Sequence, residues 1–287
     1  MALAVDIGGT KIATGLVGPD GGVLTRHEVP TPAGSDAEAM WSAVAGAVDA
    51  VRTKDITVCG VGCGGPMTDG GELVSPLNIP AWRDFALRTH LAEQLGVPVA
   101  VDNDAKALAL GEGWVGAAAG QANFVAMVVS TGVGGGIVLD GRLLDGSDGN
   151  AGHIGHVIVE PDGHVCGCGA RGCLEAEASG TAIRRITGKS PKDAPLDVRT
   201  RTGTFVGRAI ASVANLLDLR LAVVAGSVAL GFGEPFFTAA QAEIDERARL
   251  SFSVGTQIRP AGLGADGPLV GAAAVGYRAL RGSDLQR

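Results

Sequence analysis

The sequence predicts an α/β protein built from two related domains, and three features carry that prediction. Short apolar strands rich in Val, Ile, Leu and Ala alternate with segments of helical period. A strand, a polar glycine turn, a second strand, a tight turn and a third strand open the chain, and the same series recurs about 124 residues later. Only two copies exist, which points to a pair of domains facing each other and not to a solenoid. At 287 residues the chain also stands near the size at which one core divides into two.

Taken in order, strands are expected over 3–6, 11–17 and 23–29, joined by the turns Gly8-Gly9 and Pro19-Asp20-Gly21-Gly22, as an antiparallel meander. Ser35 with Glu38 forms a capping box, and Met40, Ala43, Val44, Ala47 and Val51 recur at helical spacing, so 36–52 is a helix on that sheet. A strand over 56–61 ends in the loop Gly62-Cys63-Gly64-Gly65-Pro66. A second loop, 75–82, precedes a helix over 83–95. A buried strand over 97–101 carries Asp102-Asn103-Asp104 at its end, ahead of a helix over 105–113. The small residues 116–120 suit a hinge. The second series has strands over 124–129, 135–139 and 142–144, then helices over 203–217 and 234–249 with a strand over 221–225 between them, and a last helix over 268–280. Residues 189–202 are polar and receive no assignment. The domains therefore read as 1–115 plus the C-terminal 268–287, and 116–267.

Composition narrows the function. The chain has 46 glycines, 46% hydrophobic and 18% charged residues, no G-X-Y period, and a net charge of −7. Collagen-like and disordered classes are excluded. No Lys/Arg cluster longer than Arg184-Arg185 occurs, so nucleic acid is not an expected partner. No window approaches eighteen uninterrupted apolar residues and no leader is evident at Met1, which predicts a cytoplasmic protein without a membrane partner. Three of the five cysteines cluster at Cys166, Cys168 and Cys173, a grouping that in a reducing compartment favours metal over disulfides; Cys59 and Cys63 read as buried thiols.

Asp6-Ile7-Gly8-Gly9-Thr10-Lys11 sets a carboxylate at a strand end, two residues with bare backbone N–H groups, a hydroxyl and an ammonium. That set suits a polyphosphate with Mg²⁺: Asp6 on the metal, Gly8, Gly9, Thr10 and Lys11 on phosphate oxygens. A plain tight hairpin would use the same glycines. The second turn, Ser130-Thr131-Gly132-Val133-Gly134, favours the phosphate reading, because two such turns would clamp one nucleotide from both sides. Neither a Walker loop nor a Rossmann fingerprint is present. Asp104 at a strand end can take a hydroxyl proton beside a transferring phosphate, while Asp102 or Asn103 caps the next helix. One imidazole and three thiolates, His156 with Cys166, Cys168 and Cys173, suit tetrahedral Zn²⁺ with every position filled by protein, hence a structural site; His153 or His164 could take the place of His156.

With these residues in place the chain resembles the ROK family of bacterial sugar kinases, in the actin-like, hexokinase-type superfamily. The resemblance rests on Asp6 to Lys11, Asn103-Asp104, Ser130 to Gly136, Gly152-His153-Ile154-Gly155-His156, Cys166 to Glu175, and Val224-Ala225-Gly226-Ser227-Val228, and covers nearly the whole chain. It implies a two-lobed actin-like ATPase (ribonuclease H-like) fold, with a repeated mixed sheet in each lobe and an interlobe cleft. Because the phosphate loop starts at residue 6, no winged helix is expected ahead of it, and the kinase branch of the family is preferred to the repressors. Further implications are ATP with Mg²⁺ between the glycine hairpins, Gly226 and Ser227 near the adenosine, and Asp104 as the base that deprotonates a sugar 6-hydroxyl. Asn103, Glu175, and more weakly Gly65 and Asn78, would line the sugar; His156 would be shared between zinc and sugar; a homodimer is the usual state.

One position departs from the family's glucokinases, which usually read Gly-Glu-Ile-Gly-His where this chain has His153 in place of the glutamate. An imidazole can donate to an acyl oxygen or leave room for a group on the 2-position. The Gly-His-Ile-Gly-His form resembles bacterial N-acetylmannosamine kinases, so N-acetylmannosamine ranks first as substrate and glucose second. A catalytically silent sugar sensor and a non-sugar ATPase are the competing classes. Retention of Asp6 and Asp104 argues against the sensor, and the zinc loop ending in Glu175 against the ATPase.

Overall fold

The computed structural model describes residues 1–32, 34 and 36–281. The chain forms two compact units, one made of 1–120, 141–151 and the chain from Gly262 onward, the other of 121–140 and 152–261.

In the first unit β1 (Ala2–Ile7), β2 (Lys11–Val17) and β3 (Val23–Pro30) form the antiparallel meander, and β4 (Val58–Cys63) and β5 (Val99–Asn103) add to β1 in parallel, giving the order β3-β2-β1-β4-β5. Strand alternation sorts the two faces. Leu3, Val5, Ile7, Ile12 and Leu16 meet Met40, Val44 and Val48 of α1 (Ala37–Asp49) and Leu87 and Leu91 of α2 (Leu87–Leu95). The small Ala2, Ala4 and Ala13 point the other way, onto Leu269, Ala272 and Ala273 of the C-terminal helix α9 (Gly267–Arg281). That helix lies so close that a Cβ on Gly60 would be 1.9 Å from the carbonyl oxygen of Ala272. The remaining helix of this unit, α3 (Asp104–Val115), continues directly from β5, and β8 (Arg142–Leu143) lies in the 141–151 segment.

The second unit carries β6 (Phe124–Val129), β7 (Val133–Leu139), β9 (Leu221–Ala225) and β10 (Gln257–Pro260) in the order β10-β9-β6-β7, with β6 antiparallel to β7 and parallel to β9. Its helices are α4 (Leu174–Ala178), α5 (Gly180–Thr187), α6 (Leu196–Leu217), α7 (Ser227–Phe232) and α8 (Glu234–Arg247). The backbone of α8 fits against Gly203 and Gly207 of α6, where a Cβ would stand 2.2 Å from the Phe236 oxygen and 2.5 Å from the Ala240 oxygen.

Several boundaries differ from the sequence reading. The N-cap of α1 is Asp36, whose Oδ1 accepts the Ala39 N–H at 2.8 Å; Ser35 lies outside the described residues. Helix α2 starts at Leu87 and not at 83, because Asp84 takes φ +50° and Phe85 bridges to Val74 in extended form. Strand β5 runs two residues further than expected, to Asn103, in register with β4. The second half of the unassigned polar stretch, 196–202, forms the first turns of α6, while α4, α5, α7 and β10 were not anticipated. Cys59 and Cys63 are buried thiols, as read. Among the described residues no helix is long and apolar enough to cross a membrane.

Candidate active site

The first unit gathers half of the expected residues at the carboxyl ends of its parallel strands. Asp6 pairs with Gly62 and Gly62 with Asp102; one step further on stand Ile7, Cys63 and Asn103. Gly62 adjoins both Asp6 and Asp104, since a Cβ there would lie 3.5 Å from Asp6 Oδ1 and 3.7 Å from Asp104 Cα. Asn103 caps α3 by accepting the Ala105 N–H at 3.0 Å, and Asp104, the first helical residue, accepts the same N–H at 2.8 Å. Asp104 is exposed. Burial, and after it the charge of Asp104, raise the Asp6 carboxyl to about 7, against a smaller opposing pull from Lys11.

Around them the Gly8 N–H donates to the Lys11 carbonyl at 3.0 Å, and Thr31 ties the turn down, its hydroxyl on the Gly8 carbonyl at 2.6 Å and its N–H on that of Thr10 at 3.1 Å. Gly9 packs on Asn78, whose Cβ would be 3.0 Å from a Cβ at residue 9, and a Cβ on Gly65 would be 3.6 Å from Asn103 Nδ2. Asp6, Gly8, Gly9, Thr10, Gly65, Asn78, Asn103 and Asp104 thus form one connected group. Lys11 opens β2 and extends its ammonium to Glu28 Oε1 at 2.8 Å, a half-exposed pair that a phosphate would have to outcompete. Asp102 is engaged elsewhere: it accepts the Asn103 N–H at 2.8 Å and pairs at 3.1 Å with the buried ammonium of Lys106. Lys106 also reaches Asp145 at 2.7 Å and the Gly149 carbonyl at 3.0 Å, and Arg278 holds Asp145 from α9 at 2.9 Å.

The second unit gathers the other half around the β6–β7 turn. The Ser130 N–H donates to the Gly132 carbonyl at 2.9 Å. Gly226 takes φ +102°, where a Cβ would be 2.3 Å from the Val129 oxygen, and the Ser227 hydroxyl comes 2.9 Å from that of Ser130. Ser130, Thr131, Gly132, Val133, Gly134, Gly226 and Ser227 therefore share one strand-end site. The loop 152–156 packs on β7, with Gly155 against the Val133 carbonyl and Gly152 against that of Gly135. His153 and His156 are both exposed there, their rings 6.1 Å apart. Glu175 of α4 accepts the Val133 N–H at 3.0 Å.

His156, Cys166, Cys168 and Cys173 bring one donor atom each to within 4.8 Å of one another. Cys168 and Cys173 Sγ are 3.7 Å apart and Cys166 Sγ is 3.8 Å from His156 Nδ1. A tetrahedron around zinc with sulfur ligands has edges of about 3.8 Å, so the residues fit the ion. The Ala170 N–H stabilises the Cys168 thiolate and lowers its proton affinity. Gly172 takes φ +75° with its Cα against Glu160, where a Cβ would fall 1.7 Å from the carbonyl oxygen. His164 is not the alternative ligand: its N–H and ring nitrogen bind the buried Glu177 carboxylate at 2.6 and 2.9 Å, and Arg201 binds the same group. Residues the sequence did not single out are Thr31, Lys106, Glu177, Gly180 and Thr181. Each acts through a partner far along the chain, and only the Ser179 N-cap pattern ahead of α5 was locally visible.

The model of the ROK family matches residues 2–278. An N-acetylmannosamine kinase of Escherichia fergusonii is 38% identical to this chain, over 80% of it and 84% of that protein. A glucokinase of Thermotoga maritima is 33% identical over 95% of this chain and 96% of its own. Among solved structures, a ROK family glucokinase from Streptomyces griseus in complex with glucose and AMPPNP is 32% identical, covers 96% of this chain and 99% of that one, and superposes with a TM-score of 0.81.

Proposed function

The chain belongs to the ROK family and is an ATP-dependent sugar kinase, and from that premise we propose that it transfers the γ-phosphoryl group of ATP to the 6-hydroxyl of N-acetylmannosamine. The observation that carries the chemistry is that Asp6 and Asp104 adjoin the same residue, Gly62, and that the charge of Asp104 is felt at the Asp6 carboxyl. Asp104 accepts the proton of the 6-hydroxyl, that oxygen forms the new bond to the γ-phosphorus, and the bond to ADP breaks on the far side. Asp6 is the residue that would hold Mg²⁺, which when bound neutralises charge on the phosphates. Gly9, Thr10 and Lys11, and in the second unit Ser130, Thr131 and Gly132, would take the phosphates; Gly8 and Val133, whose N–H groups are held by Lys11 and Glu175, and Gly134 would shape the two turns, with Gly226 and Ser227 beside the nucleoside.

The proposed sugar-binding residues are Asn103, Gly65 and Asn78 in the first unit and His153, His156 and Glu175 in the second. His156, Cys166, Cys168 and Cys173 would hold a structural Zn²⁺ that fixes the loop presenting His153. Preference for the acylated sugar rests on His153, exposed beside His156 where a donor to an acyl oxygen is useful. Glucose is the second reading, supported by the likeness to the Thermotoga maritima enzyme along nearly the full length. An ADP-release assay with glucose, mannose, N-acetylmannosamine and N-acetylglucosamine side by side decides: saturable turnover of N-acetylmannosamine is expected, and turnover of glucose alone would overturn the assignment.

A further inference from the structure

The turn at 130–132 is short, carries small side chains and has one internal backbone hydrogen bond, so something else must hold its shape. Three further backbone groups of 130–133 bind a single stretch of chain. The Val133 N–H donates to Glu175 Oε2 at 3.0 Å, the Gly180 N–H donates to the Ser130 carbonyl at 2.7 Å, and both the N–H and the hydroxyl of Thr181 donate to the Thr131 carbonyl, at 3.2 and 2.9 Å. The contact is tight, since a Cβ on Gly132 would stand 2.9 Å from that same Glu175 oxygen. The stretch is itself anchored. It begins at Cys173, one of the zinc-type donors, and Glu177 fixes it in the middle through His164 and Arg201.

We propose that Thr181, and Glu175 in addition to its place among the sugar-binding residues, are positioning residues for the nucleotide: the α4–α5 segment is a splint that keeps the 130–133 backbone in its phosphate-binding shape before any sugar arrives. The inference rests on the reading of that turn as part of the ATP site. A carboxylate has two oxygens, so Glu175 can keep Val133 on one and receive a sugar hydroxyl on the other. Sugar and nucleotide sites then share one side chain, and the order around Cys173 reaches the phosphates by way of α4.

The test is calorimetric titration of Mg²⁺-AMPPNP into the full-length protein with no sugar present, comparing wild type with Glu175→Ala, Glu175→Gln and Thr181→Val. Loss of one charge-assisted hydrogen bond that shapes the turn predicts about tenfold weaker nucleotide binding in Glu175→Ala, and about threefold in Thr181→Val. Glu175→Gln should fall between wild type and alanine, because its amide oxygen still accepts from Val133. Thr181 is exposed and its valine replacement keeps the shape, so that variant reports even if Glu175→Ala folds poorly. Wild-type nucleotide affinity in both Glu175→Ala and Thr181→Val, with only sugar affinity reduced, would overturn the splint and leave the ATP site standing. A wild-type protein that does not bind Mg²⁺-AMPPNP at all would instead remove the ATP-site reading on which the splint depends.

Discussion

The Asp6 carboxyl titrates at about 7 because it is buried and because Asp104 adds a like charge beside it. Two carboxylates that feel each other's charge, on residues that both adjoin Gly62, are costly to the free protein and useful to one that binds a metal cation and a hydroxyl proton.

That cost has a pH signature. The folded value of about 7 lies above the ordinary 3.8, so the protonated form favours the fold at low pH, and this contribution is lost as pH rises through 7. The loss amounts to about 4 kcal/mol between the two limits. Asp6→Asn should therefore raise the thermal midpoint more at pH 8 than at pH 5 while abolishing phosphoryl transfer. Equal shifts at both pH values would show that Asp6 is not the strained group.

Asp104→Asn should lower kcat by about 10²- to 10⁴-fold and leave sugar affinity within a few fold, because the lost function is proton acceptance and not the wall of the site. Steady-state kinetics with parallel sugar titration checks this. Near wild-type turnover would remove Asp104 as the base.

His153→Glu should move kcat/KM toward glucose and away from N-acetylmannosamine, measured as the ratio of the two in one assay. An unchanged ratio would mean that the 2-substituent is read elsewhere.

Metal analysis after dialysis should find about one zinc per chain, and Cys168→Ser or a strong chelator should remove it and raise the KM for sugar. A metal-free protein with unaltered sugar affinity would reduce the cluster to an incidental one.

Lys106→Met should destabilise the fold by up to about 3–5 kcal/mol in denaturant titration, since it leaves the largely buried Asp102 with only the more distant Arg278, at 3.7 Å, as a cation. Adding Asp102→Asn should restore part of the loss. A Lys106→Met protein of wild-type stability would show that the pair contributes nothing net.

Much of the architecture could be read from local pattern. The strands β2, β6 and β9 fall on the residues expected, because an apolar run bounded by turn residues has few other uses. The helices α4, α5 and α7 span five to eight residues, too few for a 3.6 period to declare itself, and β10 shows only Ile258 to the interior. At the site the glycine turns, Asp104 and the metal donors were visible because each is a compact motif. What could not be seen is which distant group satisfies which. A lysine at 106 reads as a solvent-facing helix residue, yet its side chain is 4% exposed among carboxylates from β5 and the 141–151 segment. Thr31 and Thr181 read as ordinary polar residues, and become supports of the two turns only through carbonyls that other segments bring to them. Lys11 shows the reverse case, a phosphate candidate whose nearest anion turned out to be Glu28 on the neighbouring strand.

The placement of α9 bears on how the chain matures as it is synthesised. One face of the first sheet, with Ala2, Ala4 and Ala13, is covered by a helix that begins only at Gly267, whereas every residue of the second unit has been made by Ala261. A nascent chain thus holds all the material for its second unit while the first still lacks its lid of Leu269, Ala272 and Ala273. The part written first is finished last, and a ribosome that stops short of the final helix releases a chain whose amino-terminal sheet exposes alanines meant for the interior.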